Sequence, residues 1–445
     1  MDVSQALLLF IVLAPGVVFT VISLLWLMGW VPTERVLSTT TGTVFAASIF
    51  ALAGIVWNVG TGPVAIEFGN WFAVGQYQFP LVLMTDRLSL PFLGMTVVLS
   101  GLIGQFSATY LHRDRGFLRF YLLLHLFAFG SLLAFAAASF DLLIGGWEMV
   151  GITSVLLIAF FQQRPAPVEN ALRVFTIYRA SDIGLLAGVF AMHQWAGTAS
   201  FASGFPQLTG IQAAVVGLLL LLAAAGKAAQ VPFSGWLPRA MEGPTPSSAI
   251  FYGAISIHAG AYLLLRARPL LAHSARASGL VIVIGLFTAI HGTIVGRASA
   301  DAKTSLAYAS LTQVGVVFVE IGLGWTWIAV IHILGHATVR TLQFLRAPSM
   351  LHDYHQMHAA AGGELAPTGK HLQEIFPEPL QLWLYRWALD RGHLDTILDR
   401  FVVDPLVRLS RIFAKLDGIA FGEITKRREE PAIPLPPGVE VRGDS

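Results

Sequence analysis

The chain has 445 residues, of which 55% are hydrophobic and only 12% are charged, and its mean hydropathy is +0.68. Soluble domains carry about twice that share of charged residues, so the composition indicates an integral membrane protein. The formal net charge of +2 gives no argument for nucleic-acid binding. The chain has no cysteine, which excludes disulfides, thiolate-bound zinc and iron–sulfur clusters within it and assigns any associated redox centre to another subunit.

Uncharged apolar runs of about 20 residues, enough to cross ~30 Å of hydrocarbon, recur along the chain. The sequence therefore predicts an all-α polytopic membrane protein with about eleven transmembrane helices. We expect the first run, Ala6 to Trp30, to be a true first helix, because its leader is acidic and the run is long enough to span. The predicted spans are residues 5–30, 41–60, 88–110, 117–138, 140–161, 168–194, 207–230, 247–266, 279–296, 304–323 and 325–346.

Basic residues in the predicted loops favour one side of the membrane. One side carries Arg35, Arg113, Arg115, Arg119, Arg164, Arg173, Arg297 and Lys303, and the other carries Arg87, Arg266, Arg268 and Arg276. The positive-inside rule then predicts that the N-terminus lies outside and the C-terminal tail in the cytoplasm. The cluster at 266–276 is the exception to this rule.

The composition changes abruptly after Arg346. Residues 347–377 are polar and predict a loop. Residues 378–422 predict about two amphipathic helices, whose apolar stripes suit a membrane surface or a partner protein. Residues 423–445 contain four prolines and predict a disordered tail.

Four places put charged or titratable groups inside predicted spans, where a charge costs at least ~2.5–3.5 kcal/mol and therefore usually has a function. They are Glu148 in Gly-Gly-Trp-Glu-Met-Val-Gly, Arg179 and Asp182 in Tyr-Arg-Ala-Ser-Asp, Lys227 shortly before Pro232, and His332, His336 and Arg340 at four-residue spacing.

Each of these groups also has a structural interpretation. Arg179 and Asp182 lie one helical turn apart and can form a plain ion pair, and Glu148 can be a protonated, hydrogen-bonded carboxyl. The Lys227 side chain can extend to the membrane–water interface. The proline after it instead favours a broken helix that lines a cavity. Zinc or haem at the two histidines of the last span is disfavoured, because that helix supplies no carboxylate or third ligand and Arg340 would repel a cation.

Proton conduction explains the whole set better than these separate interpretations. Burial and neighbouring charge can bring the pKa of Glu, Lys and His side chains toward neutrality. A glutamate that faces a lysine is bistable, since the pair is charged when together and each member tends toward neutrality when apart. We expect Glu148 on the fifth span and Lys227 on the seventh to form such a pair.

Several long motifs occur in the order seen in one family. They are Gly-Trp-Glu-x-x-Gly, Gly-Lys-x-Ala-Gln-x-Pro-x-x-x-Trp-Leu (226–237), Met-Glu-Gly-Pro-Thr-Pro-x-Ser-Ala (241–249), Leu-Ala-Tyr-Ala-Ser-Leu-Thr-Gln-Val-Gly (306–315) and His-Ile-Leu-Gly-His-Ala (332–337). Over roughly residues 80–346 the chain resembles the antiporter-like subunits of complex I, Mrp antiporters and membrane-bound hydrogenases. The resemblance implies inverted five-helix repeats with broken helices, N-terminal helices at 1–110 and a proton-conducting core at 111–346.

The resemblance also implies roles for individual residues. Glu148 is similar to the ion-pair glutamate of the family, Lys227 to its broken-helix lysine, Arg179 and Asp182 to its Arg/Asp pair, and His332 and His336 to its central histidines. Three positions depart from the pattern. Arg340 stands where a lysine is common and would be a fixed charge, Tyr252 replaces a histidine while His258 lies two turns further on, and Glu320 is an acid where relatives are apolar.

The membrane part stops after the eleventh predicted span, so we expect the second repeat to be truncated. With segments 346–355 and 398–406, this pattern most resembles the membrane subunits of two-part inorganic-carbon pumps of the DAB type. That resemblance implies a proton-driven bicarbonate-accumulating complex with a large partner similar to a zinc β-carbonic anhydrase, and no cofactor or catalytic centre in this chain. The alternatives are a proton-pumping subunit of a redox complex, an Mrp-type Na⁺/H⁺ exchanger and a simple membrane anchor.

Overall fold

The computed structural model describes residues 1–60, 62–74, 77–299, 301–361 and 377–425. Within them, eleven helices are long and apolar enough to cross a membrane, which confirms the predicted all-α polytopic class. In chain order, all the α-helices, including short ones that form part of a span or lie outside the spans, are α1 Val3–Leu27, α2 Glu34–Val59, α3 Ser89–Tyr110, α4 Phe117–Phe135, α5 Phe140–Ile158, α6 Pro165–Ala196, α7 Gly210–Lys227, α8 Trp236–Arg239, α9 Thr245–Ser247, α10 Ile255–Arg266, α11 Arg268–Ala272, α12 Ala275–Arg297, α13 Ala302–Gly322, α14 Thr326–Ala361, α15 Glu378–Leu389, α16 Leu394–Leu398 and α17 Asp404–Thr425.

Two helix ends differ most from the prediction. Helix α2 begins at Glu34 and not at residue 41, because Thr33 caps it and its polar first turns are invisible to a hydropathy pattern. Helix α14 continues to Ala361, so the first half of the predicted loop at 347–377 is helical. Alanine and methionine recur there and favour helix despite the polar composition. The rest of that loop and residues 426–445 of the predicted disordered tail lie outside the described residues.

A β-hairpin between α2 and α3 was not predicted. Strands β1 (Val64–Val74) and β2 (Tyr77–Thr85) pair antiparallel. The linker between α4 and α5 pairs with β2, since the Met84 amide donates to the Ala136 carbonyl (2.7 Å) and the Ala138 amide donates to the Val82 carbonyl (3.1 Å). The hairpin thus lies over the N-terminal end of α5.

Helix α7 ends at Lys227, where the sequence predicted a broken helix. Ala229 adopts a left-handed φ of 53°, which turns the chain away from the helix axis at some conformational cost. Groups freed by the break find partners, since the indole of Trp236 donates to the Gly226 carbonyl (2.9 Å) and the Val231 amide donates to Thr288 Oγ1 (2.9 Å). The break therefore leaves its backbone largely satisfied inside the membrane domain.

The helix that follows the break is the centre of the molecule. Its membrane-spanning length, Thr245–Arg266, is entirely buried among the other helices. A π-helical segment, Ser248–Ala254, joins α9 to α10, and such wide turns recur at functional sites. At its far end Arg266 makes two hydrogen bonds to the Asp86 carboxylate (2.6 and 2.9 Å), so this arginine is not a free loop charge.

The C-terminal segment folds back onto the break in α7. Asp395 accepts hydrogen bonds from Arg239 (2.8 Å) and Arg391 (3.3 Å) and lies 3.6 Å from Arg173 of α6. A side chain at Gly235 would overlap the Asp395 carboxylate, so only glycine lets α16 approach this closely. These contacts, which we call the Asp395 clamp, join the tail to the segment that follows Lys227.

The clamp is electrostatically favourable at neutral pH. Burial alone would raise the pKa of Asp395, but the hydrogen bond and charge of Arg239, together with Arg173 and Arg391, hold that pKa below its usual value of 3.8. The carboxylate therefore adds stability at all pH values above its unfolded pKa, and that contribution is lost only as the pH falls through the lower folded pKa.

We predict that Asp395→Asn loosens the attachment of α15 and α16 by about 2 kcal/mol, because the arginines lose a charged acceptor in a mostly buried place. Hydrogen exchange of residues 377–403 at pH 7 measures this. The matched control is Asp404→Asn, since Asp404 is an exposed carboxylate at the start of α17. Equal protection in both variants would show that the clamp does not hold the tail.

Candidate functional site

Three helices bring the first group of predicted residues together. Arg179 of α6 bridges two carboxylates, since its guanidinium pairs with Glu148 of α5 and lies 2.7 Å from Asp182 Oδ2. The predicted Arg179–Asp182 pair is thus present, and it extends to a third member. The Asp182 side chain is only 4% exposed, whereas those of Glu148 and Arg179 are 26% and 34% exposed, so the cluster is open on one side of this chain.

Trp147 connects Lys227 to that cluster through two different atoms. Its indole nitrogen donates to Asp182 Oδ1 (2.6 Å), and its main-chain carbonyl accepts from Lys227 Nζ (3.1 Å). Lys227 is fully buried, and its ammonium lies 4.7 Å from the ring centroid of Trp147 and 4.5 Å from that of Tyr178. Aromatic faces replace part of the hydration that a buried ammonium loses.

The expected direct pair between Glu148 and Lys227 is wrong for this structure. Glu148 pairs with Arg179, and Lys227 donates to the Trp147 carbonyl instead. The planar guanidinium holds two carboxylates at once, whereas the ammonium is satisfied by a carbonyl and two rings. The two residues therefore communicate through Arg179, Asp182 and Trp147.

Gly151 makes room for the ammonium. A Cβ atom placed at Gly151 would lie 3.0 Å from Lys227 Nζ. The second glycine of the Gly-Trp-Glu-x-x-Gly motif is thus explained by the space that Lys227 needs.

A second group lies on α10 and α14. His258 Nε2 is 3.0 Å from His336 Nδ1, and His336 Nε2 accepts from Arg340 Nε at 3.3 Å. Both histidines are buried. His258, which the sequence analysis noted only as displaced from its expected place, is therefore a direct partner of the central histidine.

His332 belongs to the same group but faces α13. Its Nδ1 lies 2.9 Å from Glu320 Oε1 and its Nε2 lies 3.0 Å from Gln313 Oε1. Glu320, the unexpected acid, is therefore the counter-charge of His332. The ring centroids of His332 and His336 are 6.4 Å apart, too far for a direct hydrogen bond.

A buried group of aromatic rings, which we call the aromatic layer, lies beside Lys227. The ring of Trp236 packs edge-on against Tyr178 (5.1 Å) and against Tyr252 (5.7 Å), and all three rings are fully buried. Among the residues that the structure describes, no hydrogen bond joins the Lys227 group to the histidine group. Proton transfer between them requires water or a rearrangement of these rings.

Sequence reasoning missed Trp147 and Gln313, although both occur in motifs that it used. The indole and amide are neutral, so a search for buried charge passes over them. Asp141 and His193, which form a buried pair described below, were not singled out from the sequence either.

The arrangement has a simple charge balance. Glu148 and Asp182 contribute two negative charges, and Arg179 and Lys227 contribute two positive charges, so the cluster is neutral when all four are ionised. A proton added to either carboxylate leaves an excess positive charge, which favours loss of the proton from Lys227. The site can therefore pass a proton onward in response to one received.

Family models match most of the membrane domain. The model for the transmembrane region of NADH:quinone oxidoreductase and Mrp antiporters matches residues 120–370, and that for the N-terminus of chain 5 of NADH-ubiquinone oxidoreductase (complex I) matches residues 71–121.

Two groups of relatives are similar to this chain in sequence. NADH-quinone oxidoreductase subunit L of Mycobacterium tuberculosis (strain CDC 1551 / Oshkosh) is 36% identical over 292 residues, which are 64% of this chain and 46% of that protein. Chain 5 of the NADH-ubiquinone oxidoreductase of Neurospora crassa is 32% identical over 293 residues, which are 65% of this chain and 41% of that protein. The chain thus spans about half the length of the curated relatives it matches.

Solved structures share its fold. A chain of the Mrp complex from Dietzia sp. DQ12-45-1b superposes with a TM-score of 0.66 at 28% identity, over 76% of this chain and 37% of that one. A chain of the membrane-bound sulfane sulfur reductase, an archaeal respiratory membrane complex, gives a TM-score of 0.65 at 19% identity, over 76% of this chain and 70% of that one. The latter likeness concerns the fold alone.

We predict that Gly151→Ala lowers the free energy of unfolding by about 1 kcal/mol or more relative to Gly145→Ala, because its Cβ displaces the Lys227 ammonium from the place it occupies against the Trp147 carbonyl. Gly145 is the matched control on the same helix, since the nearest atom to a Cβ there is 4.0 Å away. Thermal unfolding of both variants in one detergent measures the difference. Equal stability would show that the ammonium shifts without loss.

Proposed function

The chain belongs to the antiporter-like family of complex I and Mrp membrane subunits, and from that membership we propose that it conducts protons within a larger membrane complex. The observation that carries the proposal is Lys227, a fully buried ammonium at a helix break, held by Trp147 next to a three-membered ion network. A charge so placed is costly, and a purely structural helix end does not need it.

The charge balance of the cluster supplies the mechanism. A proton that binds the Glu148 carboxylate weakens the ion pair between Glu148 and Arg179. Arg179 then pairs with Asp182 alone. The cluster gains a positive charge, and Lys227 releases its proton toward the aromatic layer. Arg179 keeps its own proton throughout and acts only as the connecting charge.

The histidine group then carries the proton outward. His258 and His336 exchange it through their direct hydrogen bond. A polar cavity of about 390 Å³ begins at Arg340 and Gln313 and extends past Thr293 and Thr312 to Arg297, at the loop end of α12. This cavity has room for several water molecules and supplies hydroxyl and amide groups that would hold them.

We further propose that the partner is a large subunit similar to a zinc carbonic anhydrase, and that the proton gradient drives it to accumulate bicarbonate. Support comes from the resemblance of segments 346–355 and 398–406 to the membrane subunits of DAB-type carbon pumps. The chain's lack of cysteine agrees, because such a subunit needs no metal centre of its own. We place the N-terminus outside and the tail in the cytoplasm, and the Asp86–Arg266 pair removes one charge from the cluster that opposed this orientation.

The second candidate is a proton-pumping subunit of a redox complex, which the names of the complex I relatives favour. A sodium/proton exchanger of the Mrp type is the third. The metal content of the subunit that co-purifies with this chain separates the first two. Zinc without iron supports carbon accumulation, and iron–sulfur clusters support the redox function.

We predict that Glu148→Gln reduces proton flux by about 100-fold or more, since it keeps the shape of the side chain and removes its titrating proton. Lys227→Arg should block turnover because the guanidinium does not release its proton, and Lys227→Met should block it because no carrier remains. The assay is dye-reported flux in proteoliposomes that contain the purified complex, under an imposed proton gradient.

The control for these variants is Glu169→Gln, which removes an exposed carboxylate at the start of α6. It should behave as wild type. Wild-type flux in Glu148→Gln, or full complex activity in Lys227→Arg, would refute the proposed relay.

We also predict that truncation before Asp404 releases the partner while the Asp395 clamp persists. Helix α17 exposes an apolar stripe of Leu406, Leu409, Phe413 and Leu416, with Arg408, Arg411 and Lys415 on the opposite face, as expected of a docking helix. Co-purification of the partner from membranes measures this. A partner that is still bound after the truncation would place docking elsewhere.

A further inference from the structure

Asp141 and His193 form a second buried acid–base pair, outside the proposed relay. His193 Nε2 lies 2.8 Å from Asp141 Oδ1, and the two side chains are 5% and 10% exposed. Asp141 lies in the first turn of α5 and His193 in the last turn of α6, so the pair is at the hairpin end of both helices. No role in the preceding mechanism uses them.

The pair has unused hydrogen-bonding capacity. Asp141 Oδ2 and His193 Nδ1 are both buried, and neither has a hydrogen-bond partner among the described residues. A purely structural pair tends to satisfy its remaining atoms, because a buried unsatisfied group costs about 1–3 kcal/mol. The free Nδ1 lone pair of a histidine whose Nε2–H points to a carboxylate is a good proton acceptor.

A cavity of about 520 Å³ gives access to this pair, and the pair contributes to its wall. The hairpin supplies Tyr77 and Phe79, whose rings lie 6.1 and 4.8 Å from that of His193. The Tyr77 hydroxyl donates to Gln194, the neighbour of His193 along α6, at 2.7 Å. The cavity is large enough for water, and its mostly apolar wall strengthens electrostatic interactions at the pair.

The cavity extends toward the ion network along both helices. On α5 its lining ends at Ile144, one turn before Glu148, and on α6 it ends at Leu186, one turn after Asp182. Asp141 and Glu148 are seven residues apart, so they share a face of α5 and are separated by roughly 10 Å along its axis. The acid–base pair therefore lies on the way from the hairpin surface to the ion network.

We propose that Asp141 and His193 are the proton-loading site of the relay on the hairpin side. His193 Nδ1 takes a proton from a hydronium ion that reaches the cavity from the hairpin side, which leaves a water molecule, and it becomes an imidazolium that the Asp141 carboxylate stabilises. It then gives the proton through water to the carboxylate of Glu148 and returns to the neutral imidazole. The step moves one proton and no electrons, and it rests on the proposed function of Glu148.

The test measures proton flux in proteoliposomes of the whole complex while the pH on the hairpin side is varied. We expect His193→Gln to reduce flux about tenfold or more. It should also remove the limb of the pH profile in which flux changes with the pH on the hairpin side. Asp141→Asn should move the midpoint of that limb to lower pH by about one unit, because the imidazolium loses its counter-charge. Asp141→Glu restores the charge and should restore most of the flux.

The matched control is His273→Gln, which removes an exposed histidine that does not line the cavity and leaves the acid–base pair intact. It should keep the wild-type profile. If His193→Gln does not assemble, the Asp141→Asn profile decides the question. A wild-type pH profile in Asp141→Asn, while Glu148→Gln is inactive, would overturn this inference and leave the proposed function intact. Wild-type flux in Glu148→Gln would instead overturn the proposed function.

Discussion

Four ionisable groups, Glu148, Arg179, Asp182 and Lys227, lie close together inside the membrane domain, and their charges sum to zero when all four are ionised. Arg179 can bridge Glu148 and Asp182 only because α5 and α6 run side by side at that level. The Lys227 ammonium reaches the same place because α7 ends there. A continuous helix would carry its own backbone hydrogen bonds past this point and could not turn away after the lysine.

Both ends of α6 are held by pairs of ionisable side chains. At its C-terminal end, His193 pairs with Asp141 under the hairpin, and at its N-terminal end Arg173 binds Asp395 and Asp399 of the tail. The helix that carries Arg179 and Asp182 therefore cannot slide without disturbing one of these ends. A partner that pulled on the tail would act on the same helix and on the break after Lys227.

The spans and the buried charges could be predicted from the sequence, because hydropathy and the cost of a charge in lipid are properties of single segments. The pairing of those charges could not, because it depends on which helices are neighbours. Glu148 and Lys227 looked like natural partners, yet Arg179 takes the carboxylate and the Trp147 carbonyl takes the ammonium. The hairpin was not predicted, because its residues lie between the spans and hydropathy identifies only the spans.

The stacked rings of Tyr178, Trp236 and Tyr252 have a further effect on energetics. All three rings are fully buried, and Tyr178 contacts Lys227 while Tyr252 lies in the π-helical segment that leads into the helix of His258. Where a conductive medium lies on both sides of a thin insulator, the voltage falls mainly across the insulator. A membrane potential of 100 mV acts on one proton with about 2.3 kcal/mol in total. With water on both sides of the aromatic layer during turnover, most of that energy would act at the step between Lys227 and the histidines.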